Sequence, residues 1–342
     1  KKEDIDAKKL ALKFEKIFLD NMKSLGVDSV DKYARATDHI SEVIKQIKTL
    51  IKKGNAYLIK NDGYYFDLKT FPEYGKLSGR TAEMAEDAVS RIDENSQKRN
   101  KGDFCLWKFS KEGEPSWPAD IGNGRPGWHI EDTAITEKYF GPQYEIHGGG
   151  QDLMFPHHEA EIAQQESASG LKPFVKYWLH VGFLVNKEDK MSKSLGNFLT
   201  VEEALKKYPP EVLRFYFLSA HYRSPLDYTE ENIKQAEAAV ARLGEFMQKV
   251  QSIKTPATIE FKEKVEQLEI EHRIKEAEEA MGAAMDDDFN APAAFGWIFN
   301  LIKVINSFLT AGKIDTKSAE KLENFIQIVN KIFGVVPEKI AS

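Results

Sequence analysis

Residues 147–161 read HGGGQDLMFPHHEAE and hold the densest group of chemically versatile side chains in the sequence. The stretch begins where a predicted strand, residues 144–147, ends. Consecutive glycines after a strand let a ligand approach backbone N–H groups closely, and Asp152 stands where a carboxylate can accept from ribose hydroxyls. The pattern therefore indicates a ligand site at the junction between a strand and a helix.

The second half of this stretch places a histidine and a carboxylate at helical spacing. Pro156 suits the first turn of a helix, so His157 and Glu161, four residues apart, are expected on one helix face. Two metal ligands on one helix require this arrangement. The same spacing also occurs in ordinary contacts between surface side chains, so the pair by itself leaves both interpretations open.

A second group of functional side chains occupies residues 190–197, which read KMSKSLGN and follow another predicted strand. The loop contains two lysines, Lys190 and Lys193, and two serines, Ser192 and Ser194. Mobile ammonium groups beside hydroxyls suit a polyphosphate, because they match the charge that develops as pyrophosphate departs. A solvated lysine loop is the alternative interpretation.

Hydrophobic periodicity divides the chain into an α/β part and an all-α part. Residues 127–200 alternate predicted strands with helices, the order of an α/β layer with parallel strands. Before this layer we predict helices over residues 5–25 and 39–53, a hairpin turning at Asn61-Asp62-Gly63, a helix and mobile loop over 81–102, and a loop boundary at 112–127. From Val201 onward, long amphipathic runs joined by short loops predict a helix bundle.

The composition excludes several classes of protein. Of 342 residues, 42% are hydrophobic and 30% charged, which is typical of a folded globular chain and not of a disordered one. Cys105 is the only cysteine, which predicts a reducing compartment, the cytoplasm. No apolar run approaches the roughly 20 residues that span a bilayer, so we expect no membrane contact. The net charge of −6 does not indicate a dedicated nucleic-acid binder.

These motifs together resemble the cysteinyl-tRNA synthetase family within class I aminoacyl-tRNA synthetases. Besides residues 147–161 and 190–197, the resemblance covers DKYARAT (31–37), YFD (65–67), YGKLS (74–78), DFCLWK (103–108), GWHIE (127–131) and MDDDFN (285–290). It implies an α/β plus all-α fold, in which the second half of a Rossmann-like catalytic domain with a connective insertion precedes a C-terminal helix bundle. The implied segments are 1–54, a helical lead-in; 55–126, the insertion; 127–200, the catalytic half-domain; and 201–342, the stem-contact segment and anticodon-binding bundle.

The resemblance implies that ATP with Mg²⁺ activates cysteine to its adenylate, and that the cysteinyl group is then transferred to tRNA(Cys). The implied catalytic residues are Lys190, Ser192, Lys193 and Ser194; the ATP-binding residues are Lys193, Gly149, Gly150, Asp152 and Gly182; Trp128 and His129 line the amino-acid pocket; and Asp132, His157 and Glu161 hold Zn²⁺. Zinc would bind the cysteine thiolate and reject serine, whose hydroxyl is a poorer ligand. Candidate RNA contacts are Arg214, His221, Tyr222 and Arg223, with solvated surface as the alternative.

Two departures from the family pattern matter. Asp132 stands where the family has a cysteine, which leaves a harder, oxygen-rich metal site. The strand residue Cys105 is no substitute, because a small buried side chain is expected there. The His-x-Gly-His signature of class I enzymes does not occur in the 342 residues, so we expect the chain to lack the N-terminal part of the catalytic domain and to have little activity alone.

Two alternatives to a monomeric cytoplasmic cysteine–tRNA ligase remain open at this point. One is a truncated or inactive synthetase paralogue that binds tRNA without catalysis, which the missing signature favours. The other is a ligase of the same fold that joins cysteine to an amino-sugar acceptor, as in mycothiol synthesis. The long C-terminal bundle argues against this second alternative, and tRNA binding would separate the two enzymes.

Overall fold

The computed structural model describes residues 6–80, 95–186, 189–190, 199–254 and 261–337. Within these ranges the helices are α1 (Ala7–Ser24), α2 (Ile40–Lys53), α3 (Ile130–Phe140), α4 (Glu159–Ser169), α5 (Val201–Leu205), α6 (Pro210–Leu218), α7 (Glu230–Gln251), α8 (Phe261–Asp286), α9 (Ala291–Thr310) and α10 (Thr316–Phe333). The strands are β1 (Ala56–Ile59), β2 (Gly63–Phe66), β3 (Cys105–Phe109), β4 (Gly124–Pro126), β5 (Tyr144–Gly150), β6 (Val175–Val181), β7 (Leu184–Asn186), β8 (Asp189–Lys190) and β9 (Leu226–Asp227).

The chain forms two compact units. The α/β unit is Val30–Val181, and the helical unit combines Lys1–Ser29 with Gly182–Ser342. Helix α1, which we expected to lead into the α/β part, therefore belongs with the C-terminal helices. The division into four functional segments remains a prediction.

An antiparallel sheet of order β1-β2-β3-β4 forms one part of the α/β unit. The predicted hairpin between β1 and β2 is confirmed, with positive φ at Asn61 (65°) and Gly63 (156°). A side chain at Gly63 would also meet the carbonyl oxygen of Trp107 at 2.1 Å, so only glycine fits there. Strand β4 lies in the turn-rich stretch 112–127 and pairs with β3, and the boundary expected at this stretch remains a prediction.

A parallel pair, β5 and β6, forms the second part of the α/β unit, as the alternation of strands and helices predicts. Helices α2, α3 and α4 pack against one another on a shared core. Fully buried apolar residues of this core are Val43, Ile47 and Leu50 from α2, Ile130 from α3, and Ala160 and Ala163 from α4. Helix α2 ends at Gly54 (φ 81°), as predicted. The core fixes α3 and α4, whose first turns carry the candidate metal ligands Asp132 and Glu161.

The helical unit is a bundle built on α6 to α10, as predicted from the amphipathic runs. The Asn290 side chain caps α9 by accepting from the backbone N–H of Ala293. Helix α9 is the one helix among the described residues whose length and apolar composition match a membrane span. Its Phe295, Ile298 and Ile305 are buried in the bundle core, as in the central helix of a folded domain.

Arg214 has a structural role that the sequence did not reveal. We expected it among the RNA contacts, but its Nε donates to the carbonyl oxygen of Phe333 (2.8 Å) and its Nη1 to that of Leu25 (2.9 Å). These carbonyls lie at the C-terminal ends of α10 and α1, where a cation is favourable. Arg214 thus ties three segments of the helical unit together.

Candidate functional site

Asp132, His157 and Glu161 converge in the α/β unit. His157 Nε2 lies 3.0 Å from Asp132 Oδ2 and 3.0 Å from Glu161 Oε1. Asp132 comes from the first turn of α3, and His157 from the irregular turn Met154–His158 that precedes α4. The histidine and carboxylate expected on one helix face therefore lie side by side, with Asp132 opposite. The group has the composition and spacing of a metal site.

Glu161 is the most unusual member of this group. Its side chain is 1% exposed, and among the described residues neither carboxylate oxygen has a hydrogen-bond partner of good geometry. Oε1 faces His157, and Oε2 lies 3.6 Å from His147 Nε2. A buried carboxylate with free lone pairs is unstable unless a cation or a proton compensates it. The donor set of one imidazole and two carboxylates fits Zn²⁺, so the residues present are compatible with the implied metal.

The pKa values of Glu161 and His157 reflect two opposing effects: burial disfavours the charged forms, and the neighbouring opposite charges favour them. Burial raises the pKa of Glu161 to about 7, although the neighbouring His157 opposes this rise. Burial also disfavours the charged form of His157, but the carboxylates of Asp132 and Glu161 outweigh it and raise its pKa to about 9. A proton on His157 therefore stands where a metal ion would otherwise balance the two carboxylates.

His129, which we predicted in the amino-acid pocket, contacts the candidate metal ligand directly. Its Nδ1 lies 2.5 Å from His157 Nδ1, and its ring packs edge-on against Phe104. Burial holds the pKa of His129 well below its usual range, so a neutral His129 can accept the N–H of His157. Such a partner fixes the ring orientation and leaves His157 Nε2 free for a metal. Trp128 is 72% exposed, and its ring lies edge-on to His157 at 6.4 Å between centroids.

Three further histidines, which the sequence analysis did not single out, lie beside the metal ligands. His158 Nδ1 lies 2.8 Å from His180 Nε2, and the rings of His147 and His158 both pack on Trp178. Burial lowers the pKa of His147 to about 4 and that of His158 to about 3. His147 and His158 are thus neutral at physiological pH. His147 and His158 both belong to the stretch 147–161 and contact each other, whereas the pairing of β5 with β6 brings Trp178 and His180 to them.

The glycines of residues 148–150 lie in β5 and pair with residues 179–181 of β6. A Cβ on Gly149 would lie 2.7 Å from Cε1 of the His158 ring, and one on Gly150 would lie 2.6 Å from Asp152 Oδ1. A Cβ on Gly148, in contrast, would have no neighbour closer than 3.8 Å. At Gly149 glycine is therefore needed for internal packing, whereas at Gly150 the close neighbour is the exposed side chain of Asp152, which can move aside. Their predicted role in ATP binding is untested.

We expect Gly149→Ala to destabilise the protein by about 1–3 kcal/mol, because the rigid His158 ring has no room to move. Gly148→Ala in the same strand is the matched control, with an expected effect within about 0.5 kcal/mol. Urea denaturation of both variants measures the difference. Equal stability of the two variants would contradict the close packing of Gly149 against His158.

The predicted phosphate-binding loop lies largely outside the described residues. Ser192, Lys193 and Ser194 fall there, and Lys190 is described only as the backbone end of the short strand β8. Gly182 is described in the helical unit, where a Cβ would meet the carbonyl oxygen of Ser224 at 2.4 Å. Close backbone packing therefore explains this glycine, and its predicted contact with ATP is untested.

Comparison with known proteins gives two family matches. Residues 1–238 match the family of class I (C) tRNA synthetase catalytic domains, and residues 280–337 match the DALR domain. The chain is 45% identical over 332 residues to the cysteine–tRNA ligase of Thermococcus onnurineus (strain NA1), covering 96% of the chain and 69% of that protein. It is 46% identical over 331 residues to the cysteine–tRNA ligase of Pyrococcus furiosus, with coverage of 96% and 69%.

The fold also resembles that of a solved structure. Methionyl-tRNA synthetase of Mycobacterium tuberculosis, bound by methionyl-adenylate, superposes with a TM-score of 0.65 at 15% sequence identity. The alignment covers 95% of the chain and 76% of the synthetase. At this identity the likeness shows a shared fold, in agreement with the α/β plus helical architecture expected from the sequence.

Proposed function

The chain belongs to the family of class I (C) tRNA synthetase catalytic domains, and from this premise we propose how its residues serve the ligation of cysteine to tRNA. Identity of 45% to cysteine–tRNA ligases over 96% of the chain supports this function. The reaction joins cysteine to tRNA at the expense of ATP, which this family uses with Mg²⁺. Both relatives compared above are named cysteine–tRNA ligases, which favours tRNA over an amino sugar as the acceptor of the cysteinyl group.

Asp132, His157 and Glu161 hold Zn²⁺ in this proposal. The observation that carries it is the buried Glu161 carboxylate, which has no good hydrogen bond among the described residues and faces His157. Zinc held by these residues would offer the substrate thiolate a bond that a serine hydroxyl cannot match, which would select cysteine. Asp132, 44% exposed, is the most open of the three residues. With a carboxylate in place of the family's cysteine, the site is harder and less selective for zinc over other divalent metals.

Asp132→Ala tests the ligand set. We expect bound zinc, measured by atomic absorption after dialysis, to fall from about one equivalent to well below half, since removing a ligand weakens a metal site by about 10-fold or more. Asp120→Ala is the control, because Asp120 is an exposed carboxylate in the same unit that pairs with Lys48. Unchanged zinc stoichiometry in Asp132→Ala would remove this residue from the set.

Zinc affinity should also depend on pH. A metal ion must displace the proton from His157, with a pKa of about 9, and from Glu161, with a pKa of about 7. Because each displaced proton changes log K by about one per pH unit, apparent affinity should rise between about pH 6 and pH 9. Competition with a chromophoric chelator across this range measures the slope. A flat profile would mean that His157 and Glu161 do not bind the metal.

In this proposal, ATP is bound by the loop of residues 190–194 and by the residues where β5 ends. Lys193 contacts the phosphates with help from Lys190, and Ser192 and Ser194 stand beside them. Asp152, with Gly149 and Gly150, lies near the adenosine, and Gly182 is a further ATP-binding residue in this proposal. Trp128 and His129 line the amino-acid pocket. These roles follow the family resemblance, and Trp128 and His129 also lie beside His157.

The helical unit contributes the tRNA contacts in this proposal. Tyr222 donates to Asp288 (2.7 Å), and Arg223 forms an ion pair with the same carboxylate (2.7 Å), while the Arg223 side chain is 62% exposed. Asp288 thus holds both side chains beside the DALR region. The preferred partner is tRNA(Cys), the preferred state a monomer, and the preferred location the cytoplasm.

A further inference from the structure

Glu159, in the first turn of α4, makes an unusually complete set of hydrogen bonds. Its side chain is fully buried. Oε2 accepts from the backbone N–H of Gly75 (3.0 Å), and Oε1 accepts from the backbone N–H groups of Leu77 (2.8 Å) and Ser78 (2.6 Å) and from the Ser78 hydroxyl (2.9 Å). All four donors lie in the YGKLS segment, Tyr74–Ser78. The proposed metal site gives no role to Glu159 or to these hydrogen bonds.

A carboxylate is specifically required at this position. Charge-assisted hydrogen bonds to an ionised acceptor are roughly twice as strong as neutral ones, and successive backbone N–H groups form a pocket for an anion. A glutamine amide offers only one oxygen, and its NH₂ group would face the N–H of Gly75. Gly75 adopts φ 97°, which only glycine adopts without strain, so the segment is shaped to present its N–H groups to Glu159.

The Tyr74–Ser78 segment also packs around the turn that places His157. The ring of Tyr74 lies edge-on to Phe155 at 6.3 Å, and the Arg80 guanidinium lies 5.2 Å from the Phe155 ring. Glu159 stands two residues after His157 and two before Glu161. A contact that fixes the position and rotation of the start of α4 therefore also fixes the His157 and Glu161 side chains relative to Asp132.

We propose that Glu159 is a positioning residue for cysteine activation: by anchoring the Tyr74–Ser78 segment it holds His157 and Glu161 in place opposite Asp132. The inference rests on the proposed role of those three residues. Small displacements of a binding group, of about 1 Å, can cost on the order of 100-fold in rate. Loss of the anchor is thus felt most at the amino-acid site, whose residues His157 and Glu161 flank Glu159.

Glu159→Gln in the enzyme expressed from its complete gene tests this role. In ATP–pyrophosphate exchange we expect the KM for cysteine to rise about 10-fold, with the KM for ATP changing less than about 2-fold, because only the amino-acid site is displaced. Zinc affinity, measured by chelator competition, should fall by about the same factor. Gly75→Ala removes the anchor from the other side and should give the same pattern. The double variant should be no worse than either single one, since both disrupt one interaction.

Glu166→Gln is the matched control. Glu166 is a buried carboxylate near the other end of α4 that accepts from Lys76 Nζ (2.6 Å) and from the backbone N–H of Phe174 (3.0 Å). Its loss leaves the hydrogen bonds from the segment's backbone to Glu159 intact. We expect it to lose thermal stability comparably but to keep both KM values. A purely structural role for Glu159 would give lower stability with an unchanged KM for cysteine, or equal KM changes in the two variants, and either result overturns the inference. If the wild-type enzyme binds no zinc, the metal proposal fails, while the KM for cysteine still tests Glu159.

Discussion

Glu161→Gln is expected to abolish zinc retention and to raise the KM for cysteine by at least about 100-fold, the scale of losing a metal-bound substrate contact. The Glu161 carboxylate is 1% exposed and faces imidazoles on two sides, His157 at 3.0 Å and His147 at 3.6 Å. A neutral amide of the same shape removes the charge that balances a divalent cation. It also leaves Asp132 as the only carboxylate of the set.

The measurement combines zinc content with the kinetics of ATP–pyrophosphate exchange. Glu145→Gln is the control, because Glu145 is 71% exposed, lies in the same unit, and pairs only with the surface lysine Lys176 among the contacts described. Full zinc content together with an unchanged KM for cysteine would mean that Glu161 is not a ligand.

Lys193→Ala is expected to slow cysteinyl-adenylate formation by about 100-fold or more, while tRNA binding changes less than about 2-fold. A cation aimed at the charge that develops on the departing pyrophosphate typically contributes about 100- to 1,000-fold. The prediction rests on the KMSKS loop of the family resemblance, since Lys193 lies outside the described residues.

Single-turnover adenylate formation and filter binding of tRNA separate the two effects. Lys176→Ala removes an exposed lysine of the α/β unit and should change neither quantity. If Lys193→Ala weakened tRNA binding as much as it slowed adenylate formation, the phosphate role would be wrong.

Local patterns in the sequence predicted much of the fold, because each depends on neighbours in the chain. The 3.6-residue period identified α2 and the bundle helices, and Asn61-Asp62-Gly63 predicted the hairpin. The proximity of His157 and Glu161 likewise followed from helical spacing. The helix predicted over 39–53 matches α2, whose N-cap residue, His39, makes no side-chain cap and bonds instead to Tyr139 at 2.9 Å.

The parts of the site that escaped prediction depend on contacts between distant residues. His158 and His180 are 22 residues apart in sequence, and they meet because β5 and β6 pair in parallel. Glu159 meets the Tyr74–Ser78 segment across more than 80 residues. Arg214 was expected at the RNA surface because its charge is visible in the sequence, whereas the helix ends that bind it are not. Composition and periodicity carry no information on such partners.

The most direct test of the function is ATP–pyrophosphate exchange by the enzyme expressed from its complete gene, measured with each standard amino acid in turn. The proposed site predicts exchange that depends on cysteine, is negligible with serine, and disappears when zinc is chelated. The 342-residue chain measured in parallel tests whether these 342 residues suffice for activity. Exchange with another amino acid, or none with cysteine, would contradict cysteine activation and favour a tRNA-binding protein without catalysis.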